Sequence, residues 1–303
     1  MATLDTYQNN TSSFGASFKV YLELVKMRLS LLVAFSSGFG YTLGAVNFSW
    51  TAFTMLFIGG FLVSGASITI NQIIERDLDK LMKRTESRPL PTARITVKNA
   101  SIFAVVVGLS GFILLMLSTN WLTVALSALS MVLYSFVYTP LKRVGPVAVF
   151  VGALPGALPP LIGWVAATGA ISVEAMVIFA LQFIWQFPHF WAIAWVADDD
   201  YKKAGFKLLP SGGGKNMQTA FQIMIYTLVL IPLGMLPAQF GITGMTSAFV
   251  VTTVGVLFFA QTFYLMKQTL SQKTDTRKAA LSIMFGSFLY LPIVQISFLL
   301  DKI

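Results

Sequence analysis

Nine long stretches of apolar residues make up most of this chain and leave few ways for it to fold. They lie at 29–48, 50–73, 99–117, 121–139, 146–167, 173–196, 219–238, 244–266 and 279–300. Each is close to the roughly 20 residues that a helix needs to cross the hydrocarbon core of a bilayer. Only 11% of the residues are charged, against roughly 25% in a soluble domain. The sequence therefore predicts an all-α membrane protein with nine transmembrane helices.

The positive charges indicate which way these helices cross the membrane. Twenty of the 21 lysines and arginines lie before the first stretch or in alternate loops, and only Lys302 lies on the other side. The positive-inside rule then places the N-terminus in the cytoplasm and the C-terminus outside. We expect one polytopic domain over residues 1–303 in a bacterial cytoplasmic (inner) membrane, with residues 1–25 as a polar cytoplasmic segment. The net charge of +9 is thus explained by the orientation of the chain in the membrane and does not indicate a nucleic-acid partner.

Composition also limits the chemistry. The chain has no cysteine, which excludes disulfides, thiolate metal sites and a cysteine nucleophile. Three prolines and three glycines interrupt the fifth stretch in GALPGALPPLIGW, residues 152–164. Membrane helices tolerate such breaks where they pack closely or line a cavity. This stretch predicts a central cavity among the helices.

Charged residues concentrate in the loop NQIIERDLDKLMKRTESRPLP, residues 71–91. Asn71, Glu75 and Asp79 recur every four residues, so on a helix their side chains share an arc of about 80°. Asp77 faces elsewhere on a continuous helix and joins them only if the helix ends there. Oxygen ligands of this kind suit Mg²⁺, which binds through one or two carboxylates together with substrate phosphates.

Basic residues follow these acids. Arg84 and Arg88 are four residues apart, so on a helix they lie on the same face. Each guanidinium can donate two parallel hydrogen bonds to phosphate oxygens. A second acidic run, Asp198 to Asp200, ends the sixth stretch and is followed by Lys202 and Lys203. Neighbouring helical residues point about 100° apart, so only one or two of these three acids face any one cleft. The two clusters predict a cradle for Mg²⁺ and a diphosphate; the alternative is that each cluster is a solvated helix end with topological lysines.

The lone histidine, His189, lies in QFIWQFPHFWAIAW within the sixth stretch, one turn after Gln186. A histidine on an apolar helix is commonly a hydrogen-bonded core residue, yet an ionisable group at membrane depth also marks functional sites. The six aromatic residues at 183–195 either pack the core or wall a flat aromatic ligand. Both interpretations stay open at this point.

Four segments together resemble the intramembrane aromatic prenyltransferases of the UbiA type: NQIIERDLDKLMKRTESRPLP, YTPLKR, GALPPLIGW and QFPHFW…DDDYKKAGFKLLP. The motifs run from Lys26 to Pro210, and the ERDLD and PHFW forms are similar to those of the branch that acts on heme. The resemblance implies transfer of a farnesyl group from farnesyl diphosphate to a vinyl group of heme B, giving heme O with a hydroxyethylfarnesyl side chain. It also implies Mg²⁺ as cofactor and a downstream heme A synthase or terminal oxidase assembly as partner.

The sequence patterns and the resemblance together imply roles for individual residues. The expected metal ligands are Asn71, Glu75, Asp77, Asp79, Asp199 and Asp200. The expected substrate contacts are Asn71, Arg84, Arg88, Tyr138, Lys142, Lys202, Gln186 and His189, with Tyr138 and Lys142 matching a Tyr-x-x-x-Lys element. The expected catalytic residues are Asp79, Asp199, Lys142 and His189, with His189 either as an iron ligand or as a base near the farnesyl cation.

Two departures from the family pattern stand out. Glu75 replaces the usual Asp and has one more methylene, which alters its reach to a metal. Asp198 and Asp199 are each followed four residues later by lysine instead of a second acid, which weakens the second acidic motif.

Two alternative functions remain. One is prenyl transfer by the same fold to a quinone or hydroxybenzoate precursor. The other is a heme-binding membrane carrier or transporter, although a transporter usually places its ionisable residues near the bilayer midplane. Mg²⁺-dependent release of diphosphate distinguishes either prenyltransferase from a carrier.

Overall fold

The computed structural model describes residues 14–210, 214–271 and 276–303, and helices dominate this part of the chain. The helices are α1 Phe14–Val25, α2 Met27–Gly44, α3 Trp50–Ile74, α4 Arg76–Asp79, α5 Val97–Ser118, α6 Trp121–Val132, α7 Thr139–Leu141, α8 Val147–Thr168, α9 Val173–Val196, α10 Asp198–Lys203, α11 Met217–Gln239, α12 Met245–Leu270 and α13 Arg277–Leu300. A π-helical turn, Leu133–Tyr138, joins α6 to α7.

Each predicted apolar stretch corresponds to a helix, or in the case of 121–139 to α6 continued by the π-helical turn and α7, with ends that differ by up to four residues. Eight helices in the described ranges are long and apolar enough to cross a membrane. The remaining stretch is α2, which has 18 residues and carries Arg28 in its first turn, so a ninth crossing stays a prediction. Several of these helices begin where the sequence supplies a capping side chain, at Ser49, Thr96, Asn120, Ser172 and Asn216. Each side-chain oxygen accepts a backbone N–H of the first turn.

The second half of the predicted polar N-terminal segment forms a helix. Residues 1–13 lie outside the described ranges, but α1 begins at Phe14 and packs against α3. The amide of Gln72 donates a 2.6 Å hydrogen bond to the Leu24 carbonyl oxygen, and Leu24 is fully buried. Lys26 then breaks the path between α1 and α2 with left-handed backbone angles, φ 44 and ψ 66. This turn sends α2 in its own direction and brings the Lys26 side chain to the interior.

Helix α8 lies at the centre of the bundle and touches α2 almost backbone to backbone. A Cβ on Gly163 would overlap the Ser37 carbonyl oxygen, and one on Gly40 would overlap the Pro160 carbonyl oxygen. Small residues are the usual means by which membrane helices approach this closely. The prolines of α8 interrupt its hydrogen-bond ladder, and the side of α8 near α9 borders the internal cavity described below.

Lys302, the one lysine outside the charge pattern, has a local structural role. Its ammonium group donates to the Thr42 and Ala45 carbonyl oxygens at 2.8 and 2.6 Å, at the C-terminal end of α2. The neighbouring carboxylate of Asp301 accepts the backbone N–H of Ser247 at 2.6 Å, at the start of α12. The last residues thus satisfy the free ends of two helices.

The backbone contact between α2 and α8 generates a stability prediction. Gly163→Ala forces the two helices apart and should lower the free energy of unfolding by about 1–3 kcal/mol, the range for overpacked cores. Gly145→Ala is the matched control, because no atom lies within 4 Å of the added Cβ. Thermal unfolding in detergent measures both variants. Equal unfolding temperatures for the two would contradict the close contact.

Candidate functional site

A cavity of about 770 Å³ opens among α2, α3, α6, α8, α9 and α13, within the size range typical of ligand sites. Ionisable residues cluster at its loop end, where it is lined by Lys26, Glu75, Asp79, Arg84, Arg88 and Lys142. Serine and glutamine side chains and His189 line the remainder together with apolar residues. One cavity therefore joins a charged end to a mainly apolar interior.

The first acidic motif adopts the predicted stripe. Asn71, Glu75 and Asp79 are all buried and line the cavity. The backbone bonds from Glu75 N–H to the Asn71 carbonyl oxygen and from Asp79 N–H to the Glu75 carbonyl oxygen keep the helical register across the break between α3 and α4. That register turns Asp77 to the opposite side. Its side chain is 67% exposed and pairs with Arg76 and Lys80, so the structure does not bring Asp77 to the predicted metal site.

Two ion pairs hold the carboxylates of this stripe. Lys142 Nζ lies 2.8 Å from Glu75 Oε1, and Arg88 Nη1 lies 2.6 Å from Asp79 Oδ2. The second oxygen of Asp79, Oδ1, is buried and has no hydrogen-bond partner among the described residues. Burial raises the pKa of Asp79, and the Arg88 guanidinium only partly offsets this rise. A buried carboxylate with one free oxygen is primed to take a further cationic ligand.

A residue that sequence analysis missed fixes the orientation of Asn71. The Thr139 hydroxyl donates to the Tyr134 carbonyl oxygen at 2.8 Å, inside the π-helical turn. Having used its proton, that hydroxyl accepts the Asn71 amide N–H at 2.9 Å. The amide nitrogen is thereby committed to Thr139, and the amide oxygen of Asn71 is left for the stripe. The only sign of this contact in the sequence is that Thr139 belongs to the YTPLKR element.

Aromatic rings support the basic side chains. Lys142 Nζ lies 4.7 Å from the centre of the Tyr138 ring and 5.6 Å from that of Phe206. The Arg84 guanidinium lies 5.2 Å from the Tyr201 ring centre and donates to the Tyr201 hydroxyl at 3.1 Å. These contacts stabilise the cations inside the protein. Tyr138, Lys142 and Arg84 all line the cavity; their predicted contacts with substrate stay predictions.

The second acidic motif takes a different position from the one predicted. Asp199 is 88% exposed beside Lys215, and Asp200 pairs with Lys203. Lys202 pairs with Asp198 beside a smaller, separate cavity of about 190 Å³. None of Asp198, Asp199, Asp200 and Lys202 lines the main cavity. Helix α10 starts after the break at Ala197, so its acids do not continue the face of α9 that lines the cavity; Asp199 is exposed, and Asp198 is buried beside the smaller cavity.

The two acidic loops nevertheless meet. The pKa of Asp200 is lowered by the Lys203 ammonium and also by the backbone N–H groups of Lys83 and Arg84, which belong to the first loop. Tyr201, the next residue, reaches the cavity and holds Arg84. The second motif thus holds the first loop in place through Asp200, and it supplies Tyr201 to the cavity wall.

Lys26 is a second cavity residue that sequence analysis did not single out. Its ammonium group has no ion-pair partner among the described residues and faces the same space as Arg84, Arg88 and Lys142. Burial, followed by repulsion from these cations, lowers the pKa of Lys26 to about 7. In the sequence it resembles an ordinary topological lysine before a membrane span.

His189 lies on the wall of the cavity with an assigned tautomer. The Ser287 hydroxyl donates its proton to the Met284 carbonyl oxygen at 2.6 Å, so towards the imidazole it acts as an acceptor. His189 Nδ1 lies 2.9 Å from that hydroxyl oxygen and therefore carries the ring proton. The Trp185 ring stacks on the imidazole at 4.4 Å between centroids. Nε2 keeps its lone pair and has no partner among the described residues.

The donor set at the charged end fits one particular class of metal. Within the described ranges no three acidic or histidine side chains converge closely enough to hold an ion alone. Two carboxylates, one with a free oxygen, and the amide of Asn71 line the same end of the cavity. Mg²⁺ is commonly held by one or two carboxylates and takes its other ligands from water and substrate phosphates. The residues present therefore fit Mg²⁺ when a phosphate-bearing substrate is bound with it.

Comparison with known proteins places this arrangement among characterised families. The model of the UbiA prenyltransferase family matches residues 31–289. The chain is 54% identical over 292 residues to the protoheme IX farnesyltransferase of Cytophaga hutchinsonii, covering 95% of this chain and 99% of that protein. It is 36% identical over 291 residues to the mitochondrial protoheme IX farnesyltransferase of Arabidopsis thaliana, covering 94% of this chain and 65% of that protein.

A solved structure has the same fold. The UbiA homologue of Archaeoglobus fulgidus bound to GPP and Mg²⁺ matches with a TM-score of 0.63 at 16% sequence identity, covering 92% of this chain and 99% of that one. Identity at this level supports the fold alone.

The histidine tautomer can be tested without any substrate. The chain contains one histidine, so ¹⁵N-labelled histidine gives a single pair of ring-nitrogen resonances. We expect a protonated Nδ1 and an unprotonated Nε2 in the folded protein at neutral pH. Ser287→Ala removes the acceptor and should redistribute the tautomers. A spectrum with Nε2 protonated in the wild type would contradict the assignment.

Proposed function

The chain belongs to the UbiA prenyltransferase family, and we propose that it transfers the farnesyl group of farnesyl diphosphate to a vinyl group of protoheme IX (heme B), giving heme O. The observation that carries this proposal is the single cavity with cations at one end and a histidine among aromatic rings farther in. The 54% identity to a protoheme IX farnesyltransferase over nearly the whole chain supports heme as the acceptor. A quinone or hydroxybenzoate acceptor has no comparable support.

The charged end of the cavity binds the diphosphate in this proposal. Lys142, Arg84, Arg88 and Lys26 supply the positive charge that stabilises a departing diphosphate, where negative charge develops. Lys142 and Arg88 are held by Glu75 and Asp79 before substrate binds. Mg²⁺ bound by Asn71, Glu75 and Asp79 would supply further stabilisation of the leaving group's charge. With Mg²⁺ bound, Glu75 and Asp79 would have a new cationic partner, and Lys142 and Arg88 would be free to contact the phosphates.

The remaining predicted ligands have weaker support. Asp77, Asp199 and Asp200 face away from the cavity, and their ligand roles stay predictions that require rearrangement. We assign Asp200 and Tyr201 to positioning the first loop, since both contact it. Lys202 pairs with Asp198 and is not needed for the donor site.

The inner part of the cavity receives the farnesyl chain and the porphyrin. Apolar walls keep bulk water away from the allylic cation formed when diphosphate leaves. The Tyr138 ring, next to Lys142, lies at the boundary between the charged and apolar parts. His189 presents a neutral nitrogen lone pair at the acceptor end. We assign it as the proton acceptor, with iron ligation as the alternative that the heme absorption spectrum of His189→Ala distinguishes.

The membrane arrangement is part of the proposal. We infer that α2 is the ninth crossing, because its 18 residues approach the roughly 20 that a crossing needs and it packs against α3 and α8, and that the whole chain forms one domain. The positive-inside rule then places the charged end of the cavity at the cytoplasmic side of a bacterial inner membrane. Both substrates are amphipathic and have large apolar parts that partition into that bilayer, and the product would pass to a heme A synthase or terminal oxidase assembly.

The activity has a direct test. Purified protein is incubated with heme B, farnesyl diphosphate and Mg²⁺, and the heme is analysed by mass spectrometry. The expected product contains one farnesyl group and one added water. Diphosphate release that does not depend on heme, with unmodified heme recovered, would contradict the proposal, and unchanged substrates would favour a carrier.

Asp79 and Asp77 form a matched pair of acids in the same loop. Asp79→Ala should lower turnover at least about 100-fold, because the Mg²⁺ that would stabilise the negative charge of the leaving diphosphate loses a carboxylate ligand. Asp77→Ala should leave turnover nearly unchanged, since its exposed side chain contacts only Arg76 and Lys80. Turnover is measured after gel filtration has shown that both variants are folded. Equal losses in the two variants would contradict the placement of the metal site.

The low pKa of Lys26 predicts a pH dependence. Its charged form contributes to diphosphate binding below about pH 7 and is lost as the pH rises through this value, so affinity should fall by up to roughly tenfold per pH unit above it. Lys26→Arg keeps the charge and should remove this decline. Binding of farnesyl diphosphate from pH 6 to 9 is measured for both proteins. The same decline in both would exclude Lys26 as its source.

A further inference from the structure

The inner wall of the cavity carries a cluster of three glutamines, Gln182, Gln186 and Gln295, which the proposed reaction has not used so far. We propose that the amide oxygens of Gln186 and Gln295 hold the water molecule that adds to the vinyl-derived cation and becomes the hydroxyl group of the product. This inference rests on the proposed function and extends it to the step after farnesyl transfer.

The cluster is built on a carbonyl group that α8 leaves free. Pro160 has no N–H, so the Gly156 carbonyl oxygen lacks its usual helical donor. The amide nitrogens of Gln182 and Gln186 donate to it at 3.1 and 3.0 Å. A side chain at Gly156 would collide with the Gln186 amide, its Cβ lying 2.8 Å from the amide carbon. Two prominent sequence features, Pro160 and Gly156, are thereby explained.

These hydrogen bonds determine the direction of all three amides. Gln295 donates through its amide nitrogen to Gln182 Oε1 at 3.0 Å and to Ser36 Oγ at 3.1 Å. Gln182 Oε1 is therefore occupied. The amide oxygens of Gln186 and Gln295 have no partner among the described residues, and both buried residues line the cavity. The cluster thus turns its nitrogens to the protein and leaves two oxygens for a ligand.

Three serine hydroxyls on this wall also donate their protons to the protein. The hydroxyls of Ser37, Ser67 and Ser127 donate to carbonyl oxygens one turn earlier in their own helices. His189, one turn after Gln186, presents the Nε2 lone pair. The inner wall is therefore rich in acceptors, whereas the charged end of the cavity is rich in donors.

An acceptor-rich wall selects the chemistry of its ligand. It repels diphosphate and carboxylate groups, whose oxygens are also acceptors, and so the heme propionates do not bind here. Water offers two O–H donors to two amide oxygens and keeps its own lone pair for the cavity. A water held in this way is oriented as a nucleophile.

The chemical step uses this orientation. Farnesyl C1 bonds to the terminal vinyl carbon with the vinyl π electrons, which leaves a cation on the carbon next to the porphyrin ring. The water oxygen bonds to that carbon, and one water proton passes to His189 Nε2. Without a held water, the cation loses a proton from the adjacent carbon, and an alkene forms that is one water lighter than the alcohol.

Product analysis tests the proposal. Gln186→Met and Gln295→Met keep the side-chain length and remove the amide, and Gln261→Met is the matched control on α12, away from the cavity lining. Reactions are run with heme B, farnesyl diphosphate and Mg²⁺ in isotope-labelled water, and alcohol and alkene are separated by mass. We expect labelled alcohol from the wild type and the control, and an alkene-to-alcohol ratio raised roughly tenfold in either cavity variant, as for loss of one hydrogen bond.

The outcomes are distinguishable from failure of the proposed function. No farnesylated heme from the wild type would refute the function itself. An unchanged ratio in both cavity variants, with farnesylated product still formed, would refute the role of the glutamines alone. Complete loss of farnesylated heme in folded cavity variants would also refute it, because a water-holding role leaves carbon–carbon bond formation intact. If one variant folds poorly, its alkene-to-alcohol ratio can still be measured on the smaller amount of product that it forms.

Discussion

The two ion pairs at the charged end of the cavity are the interaction on which the rest of the site depends. Isolated carboxylates beside a membrane interior are costly, and removing one partner of a buried pair typically costs about 3–5 kcal/mol. Lys142 and Arg88 allow Glu75 and Asp79 to remain buried at the end of α3 and in α4. Because the basic partners come from the α7 turn and from the loop after α4, pairing also draws these segments over the cavity. The charges that bind substrate therefore also assemble the site.

This arrangement divides one cavity into two chemical environments. Cations supported by the Tyr138, Tyr201 and Phe206 rings gather at one end. Amide oxygens and a histidine lone pair lie at the other, where the acceptor group would bind. A diphosphate is attracted to the first end and repelled by the second, so a prenyl diphosphate enters with a defined direction. The polarity of the cavity accounts for the order of the proposed steps as well as for substrate orientation.

Much of this could be predicted from the sequence because the relevant patterns are local. Apolar length predicts the helices, and four-residue spacing predicts the stripe of Asn71, Glu75 and Asp79. The position of Asp199 and Asp200 outside the cavity lining was not predictable, since it depends on a helix break at Ala197 that composition does not mark. Lys26 and Thr139 were also missed: each acts through a contact with residues distant in the chain. The resemblance to the UbiA family supplied the reaction, which spacing alone could not.

The most direct test of the account is the crystal structure of the protein with Mn²⁺ in place of Mg²⁺ and a non-hydrolysable farnesyl thiodiphosphate. The account predicts an anomalous Mn²⁺ peak bonded to oxygens of Asp79 and Asn71, a diphosphate contacted by Lys142 and Arg88, and a farnesyl chain directed towards Gln186 and His189. A metal bound instead by Asp199 and Asp200 outside the cavity, or a farnesyl chain pointing away from His189, would contradict it.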